Sequence, residues 1–207
     1  MHAPMFALSL GARLGLMGFG GSFYNNELGQ GETTGNFVTV GATVEADAGA
    51  RLGKRYLPYL FWEHGFFGAG HRFDGESASA SSDFRGFGVR YSLGDVDGVS
   101  FLSDLAIGLR TVNVSAAGST YKMSGVEIFR FGVGAEIRFS TLFTLSPLAW
   151  VTQGSMSDTS GNVAFGPGGS GDGLTSPTYK NGQPINDQRS YFAIGLGCGA
   201  HFDIFGK

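Results

Sequence analysis

Between Val38 and Gly53 the chain alternates without a break. Val38, Val40, Ala42, Val44, Ala46, Ala48, Ala50 and Leu52 take the even positions, and Thr39, Gly41, Thr43, Glu45, Asp47, Gly49, Arg51 and Gly53 the odd ones. A period of two held for sixteen residues builds a strand with one apolar face and one small or charged face. A typical strand of a water-soluble protein has about 5–6 residues, whereas a tilted strand that crosses a bilayer needs about 9–11. A segment this long and this two-sided restricts the chain to few architectures.

The pattern recurs. Phe6, Leu8, Leu10, Ala12, Leu14 and Leu16 oppose Ser9, Gly11, Arg13 and Gly15. Phe87, Val89, Tyr91 and Leu93 oppose Gly86, Gly88, Arg90 and Ser92, and Leu105, Ile107 and Leu109 oppose Asp104, Ala106, Gly108 and Arg110. Phe129, Phe131, Val133, Ala135, Ile137 and Phe139 oppose Arg130, Gly132, Gly134, Glu136 and Arg138. Phe192, Ile194, Leu196, Cys198, Ala200 and Phe202 oppose Ala193, Gly195, Gly197, Gly199, His201 and Asp203. Segments 56–72 and 142–155 alternate less cleanly and carry Pro58 and Pro147, which suit strand starts or local irregularity. The reading is eight strands in a single domain, 1–207. Its short turns are at Gly53-Lys54-Arg55, Gly94–Gly98 and Ser140-Thr141, and its longer loops at 22–35, 73–83, 114–121 and 155–188. An even strand number, with short turns at one rim and long loops at the other, predicts an all-β, antiparallel, up-and-down transmembrane barrel.

Composition separates the two closed barrels that fit such strands. A soluble lipocalin-like barrel has an apolar interior and a polar exterior; a membrane barrel reverses them. Charged residues are only 15% of the chain, and no run of about 18 apolar residues exists to make a transmembrane helix. The 36 glycines are well over twice the usual share of about 7%. They fall mainly in the loops and on the non-apolar face, which would make a poor water-exposed surface but suits a crowded lumen. The expected lumen charges are Arg13, Arg51, Arg90, Arg110, Arg130 and Arg138 with Glu45, Asp47, Glu63, Asp104, Glu136 and Asp203, six of each sign. An eight-stranded barrel is just wide enough for side chains to fill, so these predict a salt-bridged plug rather than a conduction path.

Some residues fit this parity poorly. His64 faces lipid near mid-strand, a conflict that a bulge in segment 56–72 would remove. Arg85 and Glu127 also face out, near the loop end where a charge costs little. Two aromatic girdles are expected. Tyr56, Tyr59, Trp62, Tyr91, Phe101, Phe139, Phe143 and Phe202 lie toward the short turns; Phe19, Phe23, Tyr24, Phe37, Phe66, Phe84 and Tyr191 lie toward the loops.

Little in the chain points to chemistry. The net charge of −3 gives no basic footprint for nucleic acid, one Cys excludes a disulfide scaffold, and four scattered His do not make a metal site. Gly166–Gly171 does not lead from a strand into a helix, so it is not read as a phosphate loop. His201 beside Asp203 reads as a satisfied lumen histidine. His64 is the one outward candidate for lipid chemistry, with no nucleophilic serine at a convincing spacing and no G-x-S-x-G elbow. The chain is expected to have no catalytic residues and no cofactor. Loop 155–188 is the expected functional surface, with Asn162–Phe165 and Leu174–Tyr179 as a possible hairpin extension. Met1–Pro4 has no basic stretch, so the chain is read as a mature form rather than one with a secretory leader.

The segments GARLGKRYLPYLF (49–61) and GVEIFRFGVGAEIRFSTLFTLSPLAWVTQG (125–154) resemble outer-membrane β-barrel proteins of the myxobacterial type. With the strand pattern, they place the chain among sequences similar to the small eight-stranded barrels of Gram-negative outer membranes, the group that includes the OmpA transmembrane domain and OmpX. The resemblance implies insertion in the outer membrane. It carries over no active site. The expected role is structural or interactive, with outer-membrane lipids or lipopolysaccharide around the barrel and a protein partner reached through loops 22–35 and 155–188. A small pore or transporter and a lipid-modifying enzyme are the competing readings.

Overall fold

The alternating segments are strands, and they close on themselves. The computed structural model describes residues 2–25, 31–71, 77–116, 119–161 and 189–206. Among these the strands are β1 (Phe6–Asn25), β2 (Gly31–Thr33), β3 (Val38–Leu52), β4 (Tyr56–Ala69), β5 (Ala78–Gly94), β6 (Val99–Ala116), β7 (Ser119–Arg138), β8 (Phe143–Gly161) and β9 (Ser190–Ile204). No helix of the described residues is long and apolar enough to cross a membrane. The short β2 pairs only with the loop end of β1. The other eight each pair antiparallel with their neighbours in sequence, and β1 pairs with β9 to shut the barrel.

The register sets the barrel's shape. From Ser9 the interstrand partners run through Gly49, Tyr59, Gly88, Ala106, Arg130, Thr152 and Ala193 and return to β1 at Phe19. The circuit thus closes ten residues above its start, and a stagger of this kind forces the strands to tilt by about 35–45° from the barrel axis. The tight turn after β3 uses positive φ at Gly53 (57°) and Lys54 (66°).

Several strands outrun their expected limits. β5 begins at Ala78, inside the expected loop 73–83; β6 and β7 leave only two residues between them; β8 reaches Gly161. The proposed hairpin segments Asn162–Phe165 and Leu174–Tyr179 lie outside the described residues. The added strand length explains a reversal of polarity. Near the short turns the wall is apolar outside, with Leu10, Leu60, Phe101, Leu105, Phe131 and Leu196 exposed. Near the loops it is apolar inside: Phe23, Phe37, Phe67, Val112, Val114, Tyr121, Met123, Met156 and Tyr191 form one buried cluster. There the outward residues of β5–β8 include Ser81, Thr111, Asn113, Lys122, Ser124 and Asp158. The barrel therefore crosses the bilayer with its lower part and stands above it as a short soluble-type barrel.

This arrangement corrects the loop-end girdle. Phe19 contacts Phe67 at 5.4 Å, and Phe23 contacts Tyr191 at 5.5 Å and Phe37 at 5.9 Å, all within the interior cluster rather than at lipid. Phe84 is also buried, Phe66 stays outside, and the side chain of Tyr24 lies outside what the structure describes. At the short-turn rim Tyr56, Phe101, Phe139 and Phe202 are exposed, but Tyr59 turns inward.

A second correction concerns β7. Gly108 pairs with Glu127 and Ala106 with Arg130, so three steps in β7 match two in β6. Ile128 is the extra residue, and the partners in β8 show the same slip. A bulge shifts parity by one. Ile128 and Phe129 both face out, and Glu127, expected outside, is fully buried. The bulge anticipated in β4 is absent: His64 pairs in unbroken register with Val44 and Asp83.

Candidate functional site

The lumen charges come from seven of the eight barrel strands and meet in three overlapping groups. Near the short turns Arg51 (β3) bonds Asp203 (β9) at 2.8 Å and both oxygens of Glu136 (β7) at 3.1 Å. Arg138 bonds the same Asp203 oxygen at 3.0 Å and the Val96 carbonyl at 3.2 Å. Midway, Arg90 (β5) reaches Asp47 at 3.1 Å, Glu45 at 3.3 Å and Asp104 at 3.3 Å, and contacts the His201 ring. Arg13 (β1) bonds Asp104 at 2.8 Å, the Tyr59 hydroxyl donates to Asp104 at 2.5 Å, and His201 meets Asp47 at 3.2 Å. Toward the loops Arg130 joins Glu45 at 2.7 Å to Glu63 at 2.8 Å, while Arg110 bonds Glu63 at 3.1 Å, Ser82 at 3.0 Å, and Glu127.

All twelve expected lumen residues thus point inward and are buried, and each takes part in an ion pair. Glu127 is the member that parity missed, because the Ile128 bulge lies between it and the alternation read from Phe129 onward. It gives the lumen seven carboxylates against six guanidinium groups. The aromatics of the network were also missed. Arg90 lies 4.2 Å above the Tyr59 ring, and Arg110 and Arg130 lie 4.6 and 4.5 Å from Phe84. β8 supplies no charge but places Trp150 beside Arg13 at 5.5 Å. That ring needs Gly195, where a Cβ would fall 2.3 Å from it. Such contacts suit guanidinium groups, which stack on ring faces while their edges bond carboxylates.

The structure groups these residues into ties that cross the lumen. Guanidinium groups are held by carboxylates on opposite walls, and His201 is held by Asp47 and Arg90. No group of three or more His, Cys, Asp or Glu among the described residues is arranged to hold a metal ion.

Two smaller polar sites lie outside the lumen. At the short-turn rim Asp97 accepts the Ala3 backbone N–H at 2.6 Å and meets His2 at 3.0 Å and Lys54 at 3.7 Å. The Ala3 N–H and then the His2 ring hold its carboxyl down to about 2. On the lipid-facing wall His64 Nδ1 lies 2.9 Å from Asp83, and Trp62 Nε1 donates to the same oxygen at 3.1 Å. Asp83 falls at the end of the expected loop 73–83, so the sequence alone does not show the partner of His64.

No protein-family model matches the chain, and no relative is found among curated proteins. Solved structures do match. Neisserial surface protein A superimposes with a TM-score of 0.54 at 11% identity, over 99% of this chain and 100% of that one. The outer membrane protein OprG from Pseudomonas aeruginosa gives 0.51 at 9% identity, over 97% and 98%. At these identities the likeness is one of fold: the chain is a closed eight-stranded barrel of the small outer-membrane kind.

Proposed function

We propose that this integral outer-membrane β-barrel serves as a structural and interaction protein, with a lumen closed by its own side chains and its loops offered to partners outside. The observation that supports this reading most is the ion-pair network, which ties seven barrel strands together across the lumen with every guanidinium buried. A conducting path would need these pairs to part, and a buried charge left without its partner costs about 3–5 kcal/mol. The role is adhesion, envelope integrity or membership of a complex, carried by the segments that join β1 to β3 and β8 to β9, which are shorter than the expected loops 22–35 and 155–188 because β1 reaches Asn25 and β8 reaches Gly161, with outer-membrane lipid or lipopolysaccharide around the wall. We assign it no catalytic role and no cofactor. Planar-bilayer recording of the refolded protein tests the reading. Silence is expected, and a stable unit conductance would overturn it in favour of a small pore.

A further inference from the structure

Among the described residues, the ionisable side chains on the apolar band of the outer wall gather at one place. On β4 and β5, Trp62, His64, Asp83 and Arg85 all turn outward. Apolar residues border them: Leu60 and Phe87 on the short-turn side, Val44 and Leu109 on the flanking strands, and Phe66 beyond His64. Beside and above Asp83 the wall becomes polar, at its cross-strand partner Thr111 and at Ser81. The patch is therefore an inlet that leads from the polar upper barrel down into the apolar band.

Its polar groups are not partnered alike. Asp83 is held by His64 at 2.9 Å and Trp62 at 3.1 Å. Arg85 is exposed, lies two residues deeper than Asp83 on the same face, and has no ion-pair partner among the described residues. At the edge of the apolar band a guanidinium costs little only because it reaches the headgroup level. In a bilayer the available anion is a headgroup phosphate, which a guanidinium can bind through two parallel N–H donors.

We propose that this inlet binds the phosphate of an anionic membrane lipid, with Arg85 as the anion contact and the Trp62 and His64 rings as the walls beside it. The proposal rests on the membrane reading of the barrel, and the test separates the two.

The protein carries its own reporter. Of its two tryptophans, Trp62 is 52% exposed on the outer wall, whereas Trp150 is 3% exposed inside the lumen. The protein is reconstituted in phosphatidylcholine vesicles with a minor fraction of either brominated phosphatidylglycerol or brominated phosphatidylcholine, and quenching of Trp62 is read. Brominated phosphatidylglycerol should be enriched at Trp62 by about fivefold, the ratio that one arginine near an anionic headgroup supplies. Arg85→Gln should abolish the enrichment, Arg85→Lys should keep most of it, and free inorganic phosphate should not compete. Equal quenching by the two lipids in the wild type, persistence of the preference in Arg85→Gln, or a cross-linked dimer lost in Arg85→Gln would overturn the proposal. Failure of either lipid to quench Trp62 would instead overturn the membrane reading.

Discussion

Arg51 on β3 grips Glu136 on β7 with two parallel hydrogen bonds of 3.1 Å, across the lumen from one wall to the other. Both groups are buried, so neither can exchange its partner for bulk water. Replacing Arg51 by Ala leaves Glu136 and Asp203 to share Arg138, 3.7 and 3.0 Å away, as their one remaining cation, and should destabilise the barrel by about 3–5 kcal/mol. The temperature at which the compact form converts to the unfolded one on a detergent gel should fall accordingly.

Glu127 offers a test whose sign separates two descriptions of β7. Were it at lipid, Glu127→Val would stabilise the barrel. Because the Ile128 bulge turns it inward onto Arg110 and the Tyr191 hydroxyl, the same change leaves Arg110 with Glu63 as its one remaining carboxylate. We expect a loss of about 3 kcal/mol, read from urea unfolding in lipid vesicles, with Glu127→Gln less severe because it keeps an acceptor.

Gly195 should tolerate no side chain. A Cβ there meets the Trp150 ring at 2.3 Å, and that ring is wedged beside Arg13. Gly195→Ala forces the indole off its seat, at a cost of about 1–3 kcal/mol. Near-ultraviolet circular dichroism should show the altered tryptophan environment before any change in strand content.

Acid should loosen the rim before it unfolds the barrel. Asp97 titrates near 2 in the fold, held down first by the Ala3 N–H and then by His2, against about 3.9 for a free side chain. A depressed carboxyl contributes to the native state above its free value, and the contribution disappears as pH falls through the native one. The tie between the N-terminal segment and the 95–98 turn should therefore hold at pH 5 and release near pH 2. Protease access to residues 2–5 would report it, and Asp97→Asn should show the released behaviour at neutral pH.

How much of this was legible in the sequence depended on the element. β9 could be read residue by residue, and β3 from Val40 onward, because strict alternation assigns every face once one face is known; at the start of β3 a bulge turns Val38 inward, against the alternation, and leaves Thr39 and Val40 both outside. β7 could not: a bulge inserts one residue without any compositional mark, and Glu127 changes sides although its neighbours look the same. The loop-end aromatics were misplaced for a different reason. Phe23, Phe37 and Tyr191 have the composition of an interfacial girdle, but above the bilayer the polarity of the wall reverses, and parity does not report height. His64 was placed correctly, yet its acid came from a stretch read as a loop, so the pair was invisible until β5 was seen to begin at Ala78.

The ten-residue climb of the interstrand circuit bears on how the last strand finds its seat. A slip of one residue between β9 and β1 would carry Asp203 or Arg13 out into hydrocarbon, so the bilayer itself rejects every odd slip. An even slip offends no face. It would keep leucine at lipid and glycine inside, yet leave the Asp203 carboxylate out of line with Arg51 and Arg138. The charges inside the barrel are thus the notches of a key: hydrophobicity tells the strand which way to face, and only the ion pairs tell it where to stop.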